Sequence, residues 1–223
     1  TGKVTVLAAA SLQGAFEEIE KTVEKDNPGL DVTFDFQGSQ DLVSNLAEGS
    51  TADVLATADT RTMDDAAGQN LVGEQREFAT NVLTLIVPKG NPKKITGLDS
   101  SLDGANLVIC APEVPCGEAT QKLATERGVT LNPVSEEQKV TDVRGKVEAG
   151  EADAGIVYRT DAVASGKKVD TIEIPGADQI VNTYPIAPVK ASEHAAEAKE
   201  FVDYVMSAEG QKSLKKYGFG SVK

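Results

Sequence analysis

The sequence predicts an α/β protein with largely parallel sheets, because short apolar segments alternate with amphipathic segments along the whole chain. The apolar segments are rich in Val, Leu and Ile, which is typical of buried strands. The amphipathic segments carry apolar residues at helical spacing, as at Phe16, Ile19 and Val23. Strands that alternate with helices in this way form sheets covered by helices.

Each strand is predicted at an apolar run, and each helix begins at the polar or glycine residues that follow a strand. The predicted strands are Val4–Ala9, Val32–Phe36, Val54–Thr57, Val82–Val87, Leu107–Cys110, Ala154–Tyr158, Thr171–Ile174 and Tyr184–Val189. The predicted helices begin near Ser11, Ser39, Thr60, Gly117, Asp142, Thr160, Ser192 and Ala208.

Two long extended runs, at 81–88 and 182–189, divide the chain into two predicted lobes. Lobe one takes residues 1–81 together with 187–223, and lobe two takes residues 82–186. The two extended runs would then be the crossover strands that form the hinge.

Composition excludes several classes of function. A net charge of −13 disfavours nucleic acid and anionic membrane surfaces as partners. No apolar run is long enough to cross a bilayer. The single histidine, His194, lies in a polar stretch and is interpreted as a surface residue, and the sequence has neither a nucleophile elbow nor a phosphate loop. We therefore expect a protein that is not an enzyme.

Two serines lie where a predicted strand gives way to a helix, Ser11 after the first strand and Ser39 after the second. A helix start presents N–H groups and a partial positive charge, so two such starts could hold a small anion without a counter-charge. Serine is also a common N-cap, which is the alternative interpretation. Two further helix starts in lobe two, at Cys116 and at Val143, could offer N–H groups to an anion in the same way. Since ligands bind at the carboxyl ends of strands in α/β sheets, this predicts a ligand cleft between the lobes.

Several stretches, taken in chain order, identify a family. They are Ala8–Leu12, Gly38–Ser39, Ala52–Asp59, Pro112–Gly117, Asp142–Arg144, Gly155–Ala162, Phe201–Gln211 and Lys216–Phe219. Together they resemble the molybdate-binding proteins, the extracytoplasmic receptors of ABC transporters. The resemblance implies a two-lobed periplasmic-binding-protein fold of type II, in which each lobe is a mixed, mostly parallel sheet flanked by helices.

The resemblance also implies a ligand, a set of contacts and a partner. The ligand is molybdate or tungstate, bound as the oxyanion with no direct bond from protein to metal and no cofactor. The implied contacts are the hydroxyls and amides of Ser11 and Ser39, the backbone amides of Cys116 and Val143, and the phenol of Tyr158. The implied partner is an ABC permease, and we expect an extracytoplasmic monomer, either free or lipid-anchored. Many members of the family have alanine at the position of Cys116, a difference that a backbone contact tolerates.

Two residues near these contacts, Asp142 and Arg144, carry further expectations. Asp142 is interpreted as the N-cap of its helix, which would make Val143 the first helical residue with a free amide. Arg144 is expected to face a carboxylate at the surface rather than the anion.

Cys110 and Cys116 are predicted to form a disulfide. Cys110 ends a strand, Cys116 opens the next helix, and two prolines between them turn the chain back. An exported receptor lies in an oxidising compartment, where such a bond persists. The bond would fix the backbone at Cys116.

Two alternative functions stay open at this point. One is a receptor for sulfate or thiosulfate, which the sequence cannot separate from molybdate by cavity size. The other is a transferase of the same fold that uses Cys116 as a reactive thiol, and it requires that cysteine to be free.

Overall fold

The computed structural model describes residues 2–222, which divide into two units. The first unit takes the residues up to 80 and those from 183 onward, and the second takes residues 81–182. Residue 81 was predicted in the first lobe and belongs to the second unit, whereas residues 183–186 were predicted in the second lobe and belong to the first unit.

The first unit is built from strands and helices that alternate from the start of the chain. Its elements are β1 (Gly2–Ala9), α1 (Gln13–Asp26), β2 (Leu30–Gln37), α2 (Ser39–Ala47), β3 (Val54–Ala56), α3 (Thr60–Gly68), β4 (Arg76–Asn81), β10 (Asn182–Pro188), α7 (Ala195–Met206) and α8 (Ala208–Lys216). Its sheet has the order β2-β1-β3-β10-β4, with β1 parallel to β2 and β3, and β10 antiparallel to β3.

Strand β1 is buried from Val6 to Ala9 because helices cover both faces of its sheet. Val4 and Val6 point into one core with α1, α7 and α8, whereas Leu7 points into a second core with α2 and α3. Phe16 anchors the first core, with its ring 5.7 Å from Phe201 in an edge-to-face arrangement. The strand ends are therefore held from both sides.

The second unit repeats this alternation in the middle of the chain. Its elements are β5 (Leu83–Pro88), β6 (Leu107–Cys110), α4 (Pro115–Arg127), β7 (Ser135–Glu137), α5 (Val140–Glu148), β8 (Ala154–Tyr158), α6 (Arg159–Ser165) and β9 (Val169–Ile172). Its sheet has the order β7-β6-β8-β5-β9, with β6 parallel to β7 and β8, and β5 antiparallel to β8 and β9.

The two units share one topology although no sequence repeat is visible. Each has three neighbouring parallel strands, followed by an antiparallel strand next to the third. Strand β6 corresponds to β1, β7 to β2, and β8 to β3. The helix starts that follow these strands correspond as well.

The predicted α/β fold with mixed sheets is confirmed, and two strands were missed. Strand β7 consists of one serine and two glutamates, so it has no apolar signal. Strand β4 mixes charged, polar and apolar residues. Within residues 2–222, no helix is both long enough and apolar enough to span a membrane.

Candidate functional site

Ser11 and Ser39 lie at the same edge of the first sheet. The register of the parallel strands β1 and β2 sets Ala9 opposite Gln37, and each serine comes two residues after its member of this pair. The structure therefore brings together the two serines that the sequence singled out.

Ser11 does not cap a helix. It lies in a 3-10 turn, Ala10–Leu12, before α1, and the N-cap positions of the turn and of α1 are Ala9 and Leu12. Its Oγ lies 2.7 Å from the phenol oxygen of Tyr184, a fully buried residue of the same unit. The hydroxyl is therefore fixed by a partner distant in sequence.

Ser39 is the first residue of α2, and Gly38 takes the N-cap position. Its side chain is 1% exposed, and its Oγ accepts the Ala58 amide at 3.0 Å. That bond uses the oxygen and leaves the hydroxyl hydrogen as a donor. The Asp41 and Leu42 amides donate to the Gly38 carbonyl, so the Ser39 amide precedes the first bonds of the helix.

The third helix start of the first unit is closed to an anion. Asp59 is the N-cap of α3, and its Oδ1 accepts the Thr62 amide at 2.9 Å. Arg61 lies 3.5 Å from Oδ2. A buried carboxylate occupies this position, and the sequence pattern did not predict it as a cap.

Cys116, Val143 and Tyr158 share the corresponding edge of the second sheet. The register sets Cys110 of β6 opposite Glu137 of β7, and Cys116 and Val143 each lie six residues beyond these partners. Tyr158 ends the neighbouring parallel strand β8.

The disulfide between Cys110 and Cys116 is present, with 5.8 Å between the Cα atoms. It closes the loop that leads into α4, where Cys116 follows Pro115, the first helical residue. The Cys116 amide is thus a first-turn donor that the helix itself does not use. A cysteine in a disulfide has no free thiol, which removes the nucleophile that the transferase alternative required.

Gly117 permits the close approach of α4 to this loop. A Cβ atom at this position would lie 1.7 Å from the Ala111 carbonyl oxygen. The start of α4 therefore lies directly against the chain that leaves β6, and the absence of a side chain at Gly117 allows this.

The interpretation of Asp142 as an N-cap is wrong. Helix α5 begins at Val140 behind Lys139, and Asp142 is its third residue. The helix starts earlier because Val140, Val143 and Val147 form one buried stripe. Val143 is thus the fourth residue, where an α-helical amide ordinarily donates within the helix. The sequence argument for a free Val143 amide therefore fails, and the role of this amide as a donor to the anion stays a prediction.

Tyr158 is buried, with 1% exposure, and it lies directly before α6. The side-chain amide of Asn182 donates to its phenol oxygen at 2.8 Å. In this bond the phenol oxygen accepts, so the bond does not use the phenol hydrogen.

Arg144 faces carboxylates, as expected, but one of them, Asp161, is buried rather than at the surface. Its guanidinium lies 3.5 Å from Glu148 and 3.5 Å from Asp161. Burial raises the pKa of Asp161 from 3.8 to about 6, against the lowering effects of Arg144 and of the Tyr158 amide. The Arg144 guanidinium is thus paired with carboxylates of the protein itself.

His194 is half-exposed rather than fully solvated. Its Nδ1 lies 3.1 Å from Oδ1 of Asp53, a buried carboxylate that also accepts bonds from Ser192 and the Thr5 amide. The cluster ties the segment before α7 to the first sheet. Among the residues that the structure describes, no group of three or more His, Cys, Asp or Glu side chains could hold a metal ion.

Two α/β units of one topology, with helix starts at the ends of their parallel strands, are typical of a two-lobed solute-binding protein. The chain belongs to the family of bacterial extracellular solute-binding proteins, which it matches over residues 4–220. It is 45% identical to the molybdate-binding protein ModA of Mycobacterium tuberculosis over 97% of this chain and 84% of that protein. It is 32% identical to the putative ABC transporter substrate-binding lipoprotein YvgL of Bacillus subtilis, over 97% and 85% of the two chains.

Solved structures agree on the fold. The periplasmic molybdate-binding protein of Azotobacter vinelandii superposes with a TM-score of 0.87 at 18% identity, over 99% of this chain and 100% of that one. The sulfate-binding protein SubI of Mycobacterium tuberculosis gives 0.86 at 18% identity, over 100% and 88%. Since both proteins match equally well, the fold does not select the anion.

Proposed function

We propose that this chain is an extracytoplasmic receptor for molybdate and tungstate and delivers the anion to an ABC permease. The observation that carries the proposal is the pair of serines, Ser11 and Ser39, at one sheet edge with hydroxyls that do not cap a helix. The named functions of the relatives support the choice of anion and of transporter class.

The chemistry of the donors supports binding without counter-charges. Backbone amides and hydroxyls would come from Ser11 and Ser39 in the first unit and from Cys116, Val143 and Tyr158 in the second. A hydrogen bond to a charged group contributes about 1.5–3 kcal/mol, so several fixed donors offset much of the desolvation of a dianion. The nearby cation Arg144 is engaged with Glu148 and Asp161.

Fixed donors also select by protonation state. A donor that meets a protonated oxygen sets hydrogen against hydrogen, which disfavours phosphate at neutral pH. Molybdate, tungstate and sulfate are all fully ionised there, so size must separate the larger anions from sulfate. We infer that the chain binds its ligand as a monomer, performs no catalysis and carries molybdate as cargo.

A thermal-shift series with molybdate, tungstate, sulfate and phosphate at equal concentration tests the proposal. A ligand that binds only the folded chain raises the melting temperature, by an amount that grows with its affinity. We expect large and similar shifts for molybdate and tungstate and small shifts for the other two. A sulfate shift as large as that of molybdate would instead indicate a sulfate receptor.

A further inference from the structure

The chain passes from the second unit to the first between Asn182 and Thr183, and polar side chains flank this crossing. Asn182 is 8% exposed and Tyr184 is fully buried, and both belong to β10. Each bonds a hydroxyl of its own unit, Asn182 to Tyr158 and Tyr184 to Ser11. Those two hydroxyls belong to the proposed contacts.

We propose that Asn182 and Tyr184 are positioning residues, each of which orients one anion-binding hydroxyl. The inference rests on the proposed function. It adds two residues that make no direct contact with the anion and that act through Tyr158 and Ser11.

The geometry at Tyr158 supports an orienting role. A phenol hydrogen can rotate about its C–O bond, and a donor aimed at the oxygen turns that hydrogen elsewhere. Asn182 is such a donor, at 2.8 Å from the phenol oxygen. The bond therefore favours the phenol as a donor toward a third group, and an anion requires a donor.

At Ser11 the same logic applies when the Tyr184 phenol donates to Ser11 Oγ, because that direction leaves the serine hydrogen for the anion. The Tyr184 ring packs edge-to-face against Phe219 at 5.3 Å and against Phe78 at 6.2 Å. Its phenol oxygen is therefore a fixed point 2.7 Å from Ser11 Oγ. Ser11 lies within a short 3-10 turn and not at its N-cap, so this contact sets its hydroxyl.

A matched control lies at the other crossing between the units. Asn81 is also buried, and its side-chain amide donates to the Thr160 hydroxyl at 2.8 Å. Thr160 is not among the proposed contacts. Asn81→Ala should therefore lower stability as Asn182→Ala does, while its molybdate affinity stays within about twofold of the wild type.

The test is a double-mutant cycle measured by calorimetric titration with sodium molybdate. We expect Tyr158→Phe to weaken binding about ten- to hundredfold, and Asn182→Ala to weaken it by a comparable or smaller factor. In the Tyr158→Phe background, Asn182→Ala should weaken molybdate binding by less than about twofold, because the Tyr158 hydroxyl through which Asn182 acts is absent. The cycle with Ser11→Ala and Tyr184→Phe should give the same result.

The opposite result would overturn the inference. If Asn182→Ala weakens binding by the same factor in both backgrounds, its role is general packing. Asn182→Leu, which has a similar shape and neither a charge nor a donor, replaces it in the same cycle if the alanine variant does not fold. A wild-type chain that fails to bind molybdate contradicts the proposed function and this inference together, whereas normal binding with independent effects contradicts this inference alone.

Discussion

Substituting alanine for Gly117 tests how the start of α4 is positioned. The added Cβ would lie 1.7 Å from the Ala111 carbonyl oxygen and 2.8 Å from that of Cys110. Real Cβ atoms stay at least 3.0 Å from such neighbours, so the helix and the loop must separate by 3.0 − 1.7 = 1.3 Å. Both neighbours are backbone atoms, and the disulfide to Cys116 restrains the loop. We expect a loss of about 3 kcal/mol in the free energy of unfolding, near the upper end for overpacked sites.

The same displacement should weaken anion binding. The Cys116 amide directly precedes Gly117, and a hydrogen bond spans only about 2.7–3.2 Å between heavy atoms. A shift of 1.3 Å therefore removes one donor to a charged ligand, which corresponds to about 1.5–3 kcal/mol, or roughly ten- to hundredfold in affinity.

Gly145→Ala is the matched control for this substitution. Gly145 lies exposed in the interior of α5, and among the described residues no atom outside the adjoining helix backbone lies within 4 Å of a Cβ built on it. The same change should stabilise the protein there by up to about 1 kcal/mol through helix propensity. Urea denaturation measures both stabilities, and calorimetric titration with molybdate measures both affinities. A Gly117→Ala chain as stable and as tightly binding as the wild type would refute the argument.

Further predictions concern Ser39, the disulfide and Asp161. Ser39→Ala should weaken molybdate binding by about 1.5–3 kcal/mol in a calorimetric titration and also lower the free energy of unfolding by about 1–3 kcal/mol, because the Ala58 amide loses its acceptor. Mass spectrometry of unreduced, alkylated protein should find no free thiol at Cys110 or Cys116, and two alkylated cysteines would contradict the disulfide. Burial raises the pKa of Asp161 to about 6, so the folded chain holds this proton more tightly than the unfolded chain. The free energy of unfolding of the wild type, relative to that of the Asp161→Asn variant, should therefore fall as pH rises from about 4 to 7. A difference between the two that stays constant with pH would contradict this.

The sequence could predict the strands that carry an apolar run. The predicted bounds of Leu107–Cys110 and Ala154–Tyr158 match β6 and β8, because both strands are buried throughout. Strand β7 could not be found in this way, since Ser135–Glu137 has no apolar residue and is a strand only through its pairing with β6.

The candidate site could be located from the sequence, but its internal bonds could not. Strand-to-helix junctions indicated Ser11 and Ser39, whereas the partners of their hydroxyls, Tyr184 and Ala58, are distant in sequence. The start of α5 was misplaced because Asp142 looked like a cap, although the spacing of the buried valines favoured an earlier start. Asn182 carried no sequence signal for a role beside Tyr158.

A crystal structure of the chain with bound molybdate tests the central claim most directly, because anomalous scattering from molybdenum locates the ion without ambiguity. We predict one ion whose oxygens lie within about 2.7–3.2 Å of hydroxyl and amide donors, including those of Ser39 and Cys116. No Lys or Arg side chain should contact the anion. An ion held by a lysine or arginine, or bound away from both of these residues, would contradict the account.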